Sequence, residues 1–149
     1  MTAVHYDNYT QGRAHFRNLL DAASRGHAAS VRRELDQVAI VDAQRLRAFI
    51  AATLPLRAQV VAEAGGWSIF LPGVPLAADG ATLDDAVEEM IDVLREYAED
   101  WHDHLSDAPN HAPSWGLVQL IIFSDDDQLR DWLVGAAPTA GQGSVPGAA

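Results

Sequence analysis

The chain of 149 residues contains neither cysteine nor lysine, and both absences limit what it can do. Without cysteine there is no disulfide, no thiolate zinc site and no thiol nucleophile, and without lysine there is no amine nucleophile. No apolar run approaches the roughly 20 residues that a membrane-spanning helix requires, and the polar segment Met1–Thr10 does not resemble a signal peptide. We therefore expect a soluble cytoplasmic protein with no membrane partner.

Basic residues are few, and they are unevenly distributed. Met1–Arg57 contains eight arginines and five acidic residues, a net charge of +3, whereas Ala58–Ala149 contains two arginines and sixteen acidic residues, a net charge of −14. Arginine is the side chain best shaped to bind phosphates and guanines. The asymmetry predicts two functions, one directed at a polyanion and the other at a different partner.

The first third of the chain has the pattern of a small α+β unit. Its predicted helix has apolar residues at helical spacing at Phe16, Leu19, Leu20 and Ala23, and Gly26 follows its end. The predicted elements are a strand at Val4–Tyr6, a helix over Tyr9–Arg25, a hairpin of Ala28–Arg33 and Val38–Val41, and a helix over Ala43–Leu54 that Asp42 caps and Pro55 ends.

The rest of the chain predicts a second α+β unit, residues 57–135, followed by a flexible Gly/Ala/Pro-rich tail, residues 136–149. Its clearest feature is one long amphipathic helix capped by Thr82. The predicted elements are strands at Arg57–Glu63, Trp67–Leu71 and Leu76–Ala78, a helix from Leu83 to about Leu105, a strand at Leu117–Phe123, and a short helix over Asp125–Val134 capped by Ser124.

Residues 1–56 resemble the Phd/YefM group of antitoxins. The similarity lies in Tyr9-x-x-x-Arg13-x-x-Phe16-x-x-Leu19-Leu20, Gly26-His27, Val31-Arg32-Arg33 and Val38-Ala39-Ile40-Val41-Asp42. The resemblance implies a strand–helix–hairpin–helix unit that forms a homodimer, or a higher even oligomer, through its sheet. It also implies that arginines of this unit bind operator DNA.

Residues 57–135 resemble a HicB-type antitoxin domain, an antiparallel sheet with one long helix. The similarity lies in Glu63-Ala64-Gly65-Gly66-Trp67-Ser68-Ile69-Phe70-Leu71-Pro72-Gly73-Val74 and Ala78-Asp79-Gly80-Ala81-Thr82-Leu83-Asp84-Asp85-Ala86. The resemblance implies contact with a toxin. Because this half carries almost no positive charge, we do not expect it to bind nucleic acid.

Four arginines are the predicted DNA-binding residues: Arg13, Arg17, Arg32 and Arg33. Arg13 and Arg17 are four residues apart, which places them on one face of a continuous helix. Arg32 and Arg33 point to opposite faces of a strand, so at least one of them can join that surface. The alternative is an exposed surface whose arginines form a few ion pairs with Asp21 or Glu34.

The predicted toxin contacts are Trp101, Leu129, Trp132 and Leu133, for which the alternative is a place in the core. The acidic residues of this half have two interpretations, as helix caps on a solvated face or as a surface that attracts a basic toxin. Together the two resemblances predict an antitoxin that neutralises a ribonuclease, of the PIN type or another, and represses its own operon.

No cofactor, metal site or catalytic group is predicted. His102 and His104 are two residues apart, which on a helix separates the imidazoles by roughly 200° and prevents chelation of one ion. No acidic cluster has a nucleophile at useful spacing, which argues against an enzyme. The main alternative function is a protein-interaction module that does not bind DNA, in which the arginines pair with an acidic protein or with the acidic half of a second copy.

Overall fold

The computed structural model of the chain describes residues 3–135 and has an α+β fold, as predicted. The chain divides into two compact units, Met1–Phe49 and Ile50–Ala149, here called unit 1 and unit 2. Each unit contains its own three-stranded sheet. The predicted tail, residues 136–149, lies outside the described residues. None of the described helices is long and apolar enough to span a membrane.

Unit 1 combines a small mixed sheet with short helices. Strand β1 runs parallel to β2, which pairs antiparallel with β3, so that β2 is central and β1 and β3 are the two edges. The predicted hairpin and the Asp42 cap are both present, since the backbone N–H of Arg45 donates to Asp42 Oδ2 at 3.0 Å. The elements are β1 (Val4–Tyr6), α1 (Tyr9–Ala14), α2 (Phe16–Ser24), β2 (Ala29–Arg33), β3 (Asp36–Ala39) and α3 (Ala43–Thr53), of which α3 begins in unit 1 and ends in unit 2.

The single helix predicted over Tyr9–Arg25 is two helices, because the backbone leaves the helical conformation at His15 (φ −119°, ψ 30°). The His15 ring stacks on Tyr6 of β1, with ring centroids 5.3 Å apart. A further tertiary constraint acts on α1. A Cβ atom at Gly12 would lie 2.9 Å from Val31 Cγ1, so glycine permits the close approach of α1 to β2. Helical periodicity alone does not reveal such constraints.

The core of unit 1 is small. Its buried cluster consists of Leu19, Ala22, Ala23 and Ala29, with partly buried neighbours from the sheet. Two residues of the predicted buried stripe, Phe16 and Leu20, are about half exposed, with 51% and 47% of their surfaces accessible. Unit 1 therefore buries few large side chains and leaves several accessible to solvent.

Unit 2 is an antiparallel sheet, ordered β4-β5-β6, against which the long helix α4 packs. Thr82 caps α4 as predicted, accepting from the backbone N–H of Asp85 at 3.0 Å. The elements are β4 (Gln59–Glu63), β5 (Gly66–Leu71), β6 (Leu76–Gly80), α4 (Leu83–Asp100), a π-helical turn (Trp101–Leu105), a 3₁₀ turn (Ala112–Ser114), α5 (Trp115–Phe123) and α6 (Asp126–Val134).

A large continuous core stabilises unit 2. It includes Ile69 and Leu71 of the sheet together with Met90 and Leu94 of α4, all essentially inaccessible to solvent. Gly80 lets β6 lead closely into α4, because a Cβ atom there would lie 2.3 Å from the backbone nitrogen of Ala86. Unit 2 therefore provides a rigid base for its surface residues.

Two local predictions in unit 2 are wrong. The predicted strand Leu117–Phe123 is part of helix α5, which is buried at Leu117, Val118, Leu120 and Ile121. Burial on several sides removes the polar–apolar periodicity that distinguishes a helix from a strand. The cap of α6 is Asp125 rather than Ser124: its carboxylate accepts from the N–H of Gln128 at 2.7 Å, and the Gln128 side chain accepts in return from the N–H of Asp125.

Candidate nucleic-acid and partner surfaces

An apolar groove of about 460 Å³ lies in unit 1, between the helices α1 and α2 and the sheet. Its walls are formed by aromatic and aliphatic side chains, and two arginines also line it. The lining residues are Tyr9, Gly12, Arg13, Phe16, Leu19, Val31, Arg33, Val38 and Ile40. We call this feature the unit 1 groove.

The structure brings two of the four predicted arginines together. Arg13, from α1, and Arg33, from β2, both line the unit 1 groove. Arg32 is on the opposite face of the sheet, as strand alternation predicts, beside Gln37 in the β2–β3 register. Arg17 belongs to α2 and does not line the groove, and the break at His15 removes the helical spacing that was expected to align it with Arg13.

None of these four arginines is used to hold the fold together. Arg13, Arg17, Arg32 and Arg33 are all exposed, and within residues 3–135 their side chains form no ion pair or hydrogen bond. The pairing with Asp21 or Glu34 that the alternative interpretation required is therefore not formed in the described structure. Four unpaired guanidinium groups in a unit of net charge +2 remain available to an anionic ligand.

A second cavity in unit 1, of about 360 Å³, lies at the base of the β2–β3 hairpin. Its walls are formed mainly by small residues, including Ala28, Ala29 and Ala39. Val41 and Arg45 also line the cavity. The Arg45 guanidinium lies over Gly26, and the buried Nδ1 atom of His27 has no hydrogen-bond partner among the described residues. We call this feature the hairpin-base pocket.

In unit 2, an acidic cleft of about 380 Å³ lies between α4 and α6. Its lining residues are Glu88, Ile91, Asp92, Asp126, Asp127 and Arg130. Both arginines of this region are bound by carboxylates: Arg95 pairs with Asp126 at 2.8 Å and Arg130 with Asp84 at 2.9 Å. Glu88, Asp92 and Asp127 form no ion pair within residues 3–135, so the cleft keeps an excess of negative charge.

Three of the four predicted toxin contacts are core residues. Trp101, Leu129 and Leu133 are all less than a tenth exposed and pack in the unit 2 core, and the indole N–H of Trp101 donates to the carbonyl of His111 at 2.9 Å. Trp132 is only partly buried against the same core. In this conformation Trp132 alone among the four offers accessible surface to a partner.

Sequence reasoning missed several exposed apolar residues. Trp115 and Ile122 of α5 are about half exposed and stand seven residues apart, which is two turns of one helix face. Because the sequence predicted a strand for this segment, it did not indicate that Trp115 and Ile122 lie on the same face. Leu35, at the tip of the β2–β3 hairpin, is 96% exposed. The sequence could have indicated this exposure, because Leu35 is an apolar residue in an otherwise polar hairpin turn.

The histidines do not form a metal site among the described residues, where no group of three potential ligands is close enough to hold an ion. His102 instead directs Nδ1 at the carbonyl of Ala98, 2.8 Å away, and His111 Nδ1 lies 3.0 Å from the hydroxyl of Tyr97. These contacts hold the loop that follows α4.

Comparison with known proteins gives two matches. Residues 3–133 match the profile of the PHD-like family, which is described as the antitoxin of toxin–antitoxin, RelE/RelB, TA systems. The chain is also similar in fold to a crystal structure from Syntrophomonas wolfei subsp. wolfei, described as an antitoxin part of a proposed toxin/antitoxin system. The TM-score is 0.72 at 20% identity, covering 89% of this chain and 96% of that one. No curated protein matches.

Proposed function

Because this chain belongs to the PHD-like family of toxin–antitoxin antitoxins, we propose that its two units perform separate binding functions. Unit 1 forms a homodimer that binds operator DNA and represses the antitoxin's own operon. Unit 2 binds and neutralises the cognate toxin, which we propose is a ribonuclease with a basic surface. The observation that carries the division is the use of arginine. The four predicted DNA-binding arginines of unit 1 form no ion pair or hydrogen bond within residues 3–135, whereas the three arginines of unit 2 are bound within the fold.

Dimerisation of unit 1 is supported by its shortage of buried apolar surface. A unit of about 50 residues buries too small a fraction of its surface to be very stable alone, and the buried cluster here contains three alanines. At the same time, large apolar side chains are exposed, among them Tyr9, Phe16 and Val38 along the unit 1 groove. Burial of these side chains against a second copy stabilises the unit in proportion to the apolar area removed from water.

DNA binding is supported by the unpaired arginines. An exposed guanidinium with no internal partner can contact phosphate without first breaking an ion pair, and it can bind guanine through two hydrogen bonds. Arg13 and Arg33 lie together at the groove, so a dimer presents two such pairs, suited to the two half-sites of an operator. Each phosphate contact adds to the salt dependence of binding.

The DNA proposal is tested by fluorescence anisotropy with the DNA upstream of the chain's own operon. Arg13→Ala combined with Arg33→Ala is expected to weaken binding at least about tenfold at physiological salt, and to reduce the slope of log affinity against log salt by roughly one for each phosphate contact removed. Arg25→Ala is the matched control, because it removes an exposed arginine of the same unit away from the groove.

Two outcomes would reject the DNA proposal. Equal affinity for wild type and the double variant would exclude Arg13 and Arg33 as contacts. Absence of any binding even at low salt would favour the interaction module instead, because phosphate contacts are strongest when counterions are dilute.

Toxin binding by unit 2 is supported by the acidic cleft and by the half-buried Trp132 next to the core. Carboxylates attract a basic partner over long range and raise its association rate. A partly buried tryptophan on a rigid base is typical of residues that dominate interface energies. A ribonuclease surface that binds RNA carries positive charge, and an acidic antitoxin surface complements it.

The toxin proposal is tested by co-expression with the adjacent open reading frame and by affinity measurements on the purified complex. Glu88→Gln, Asp92→Asn and Asp127→Asn together remove three charges that hold no ion pair within residues 3–135, so the fold is expected to persist. We expect the variant to associate with the toxin more slowly than the wild type, and its association rate to depend less on salt concentration. The matched control is Glu63→Gln, an exposed acid on β4 away from the cleft. Failure of the wild type to relieve toxicity would reject the proposal.

A further inference from the structure

The hairpin-base pocket is a cavity that neither DNA binding nor dimerisation explains. Its volume of about 360 Å³ lies within the roughly 300–1,000 Å³ that is usual for small-molecule sites. It shares Ile40 with the unit 1 groove, but neither Arg13 nor Arg33 lines it. It is therefore a separate feature of unit 1, distinct from the arginine pair at the groove.

The walls of the hairpin-base pocket are mainly apolar. Ala23 and Ala29 are almost fully buried, and Ile40 and Val41 supply larger aliphatic side chains. Ser30, one of the polar residues that line it, already uses its hydroxyl in contacts with other side chains of the sheet. A molecule in this pocket therefore contacts mostly methyl and methylene groups, and binding removes its apolar surface from water.

Packing on the backbone of Gly26 positions the guanidinium of Arg45 at this pocket. A Cβ atom at Gly26 would lie 2.9 Å from Cζ and 3.0 Å from Nη1 of Arg45. Gly26 also has a φ of 81°, in the left-handed region that favours glycine. The guanidinium therefore lies directly against the main chain, in a space that only glycine leaves open.

Arg45 has no internal partner for its charge. Within residues 3–135 its side chain forms no ion pair or hydrogen bond. Asp42, three residues earlier, directs its carboxylate at the backbone N–H of Arg45 instead, as the cap of α3. The N–H groups of the guanidinium are therefore available to an anion at the pocket.

The C-terminus of α2 does not require Arg45 as a cap either. The N–H of His27 donates to the carbonyl of Ala22 and the N–H of Gly26 to the carbonyl of Ala23, both at 2.9 Å. This pair of bonds closes a helix end with its own backbone. Neither a carboxylate nor the end of the helix explains why a guanidinium lies at an apolar pocket.

We propose that the hairpin-base pocket binds a small monocarboxylate with a compact apolar body, aliphatic or aromatic. Arg45 donates two parallel N–H···O bonds to the carboxylate, the geometry to which a guanidinium is best suited. The body of the ligand packs among Ala28, Ala39 and Val41. The apolar walls favour such a ligand over inorganic phosphate or a DNA phosphate, which has no apolar surface to bury there.

Titration of the full chain with benzoate, followed by ¹H–¹⁵N NMR at constant ionic strength, tests this site. We expect saturable shifts concentrated in the amides of residues 26–29 and 39–41, which line the pocket. Benzamide has the same shape without the charge and is expected to bind at least about tenfold more weakly, because it loses the charge-assisted hydrogen bonds. Acetate keeps the carboxylate but lacks the apolar body, and it is also expected to bind more weakly.

Two substitutions separate the guanidinium from the apolar walls. Arg45→Gln is expected to reduce the affinity for benzoate at least about tenfold. Arg47→Gln is the matched control and is expected to bind as the wild type does, because Arg47 belongs to the same helix, donates to Gln44 and does not line the pocket. Ala39→Leu places a larger side chain at an exposed position of the wall and is expected to exclude benzoate without loss of the circular dichroism signal.

Several results would overturn the carboxylate site. These are the absence of saturable shifts with benzoate, equal affinity for benzoate and benzamide, and undiminished binding by Arg45→Gln. If the wild type did not bind benzoate and Arg45→Gln weakened operator binding, the partner of Arg45 would be a DNA phosphate and the carboxylate site would be rejected. The titrations use neither DNA nor toxin, so their failure leaves the two proposed binding functions standing.

Discussion

The arginines of unit 2 and the predicted DNA-binding arginines of unit 1 are used in opposite ways. In unit 2, Arg95 donates to the carbonyls of Ile121 and Ser124 at 2.6 and 2.9 Å, and Arg57 donates to those of Leu54 and Leu56. In unit 1, Arg13 and Arg33 have no internal partner among residues 3–135. An arginine that is bonded within the fold contributes to stability, whereas one left unpaired is available to a ligand. Residue counts alone would not have separated these roles.

The hydrophobic cores of the two units also differ, in the size of the side chains that they bury. Unit 2 buries large side chains throughout, whereas unit 1 buries one leucine and a few alanines. We infer that unit 2 is stable by itself and that unit 1 depends on association. The predictions below test this difference, from the largest expected effect to the smallest.

Leu94→Ala is expected to lower the free energy of unfolding of unit 2 by about 2–5 kcal/mol, because it leaves a cavity at a fully buried position. All four tryptophans belong to unit 2, so urea unfolding followed by tryptophan fluorescence reports on that unit. Leu35→Ala is the control and is expected to leave this transition unchanged. An equal effect of both substitutions would contradict the assignment of cores.

Arg95→Ala is expected to destabilise unit 2 by about 1–3 kcal/mol in the same assay, because two carbonyls near the end of α5 lose a charged donor. Arg130→Ala breaks one largely exposed ion pair with Asp84 and is expected to cost about 1 kcal/mol or less. Arg17→Ala lies in unit 1, which has no tryptophan, so its unfolding is followed by far-ultraviolet circular dichroism instead; it is expected to change stability by less than about 0.5 kcal/mol. A large effect of Arg17→Ala would show that this arginine has a structural role.

Asp125→Ala is expected to cost about 1 kcal/mol, since it removes the carboxylate that accepts from the backbone N–H of Gln128 at the start of α6. Ser124→Ala is the matched comparison, because Ser124 is the residue that the sequence predicted as the cap of α6. The Ser124 hydroxyl is buried without a hydrogen-bond partner among the described residues, so its removal is expected to be neutral or stabilising. If Ser124→Ala were the more harmful substitution in urea unfolding, the capping assignment would be wrong.

The sequence predicted those features that depend on local chemistry. The caps at Asp42 and Thr82, the two hairpins and the long helix α4 are confirmed. The features it did not predict depend on tertiary contacts. Burial of α5 removed the periodicity that would have identified a helix, and the break at His15 accompanies the stacking of its ring on Tyr6 of β1.

The candidate site was predictable only in part. Alternation along β2 placed Arg32 and Arg33 on opposite faces, and the structure has Arg33 at the groove. Which arginines lack partners, and which apolar residues remain exposed, follows from packing. Leu129 and Leu133 have a spacing that suits a partner surface and a core equally, and in the structure they are core residues.

The most direct test of separate functions measures both binding activities on two variants. One variant carries Arg13→Ala and Arg33→Ala; the other carries Glu88→Gln, Asp92→Asn and Asp127→Asn. We predict that the first loses affinity for operator DNA and binds the toxin as wild type does, and that the second shows the reverse. If either variant lost both activities while remaining folded, or if the arginine variant lost toxin binding alone, the proposed division between the units would be contradicted.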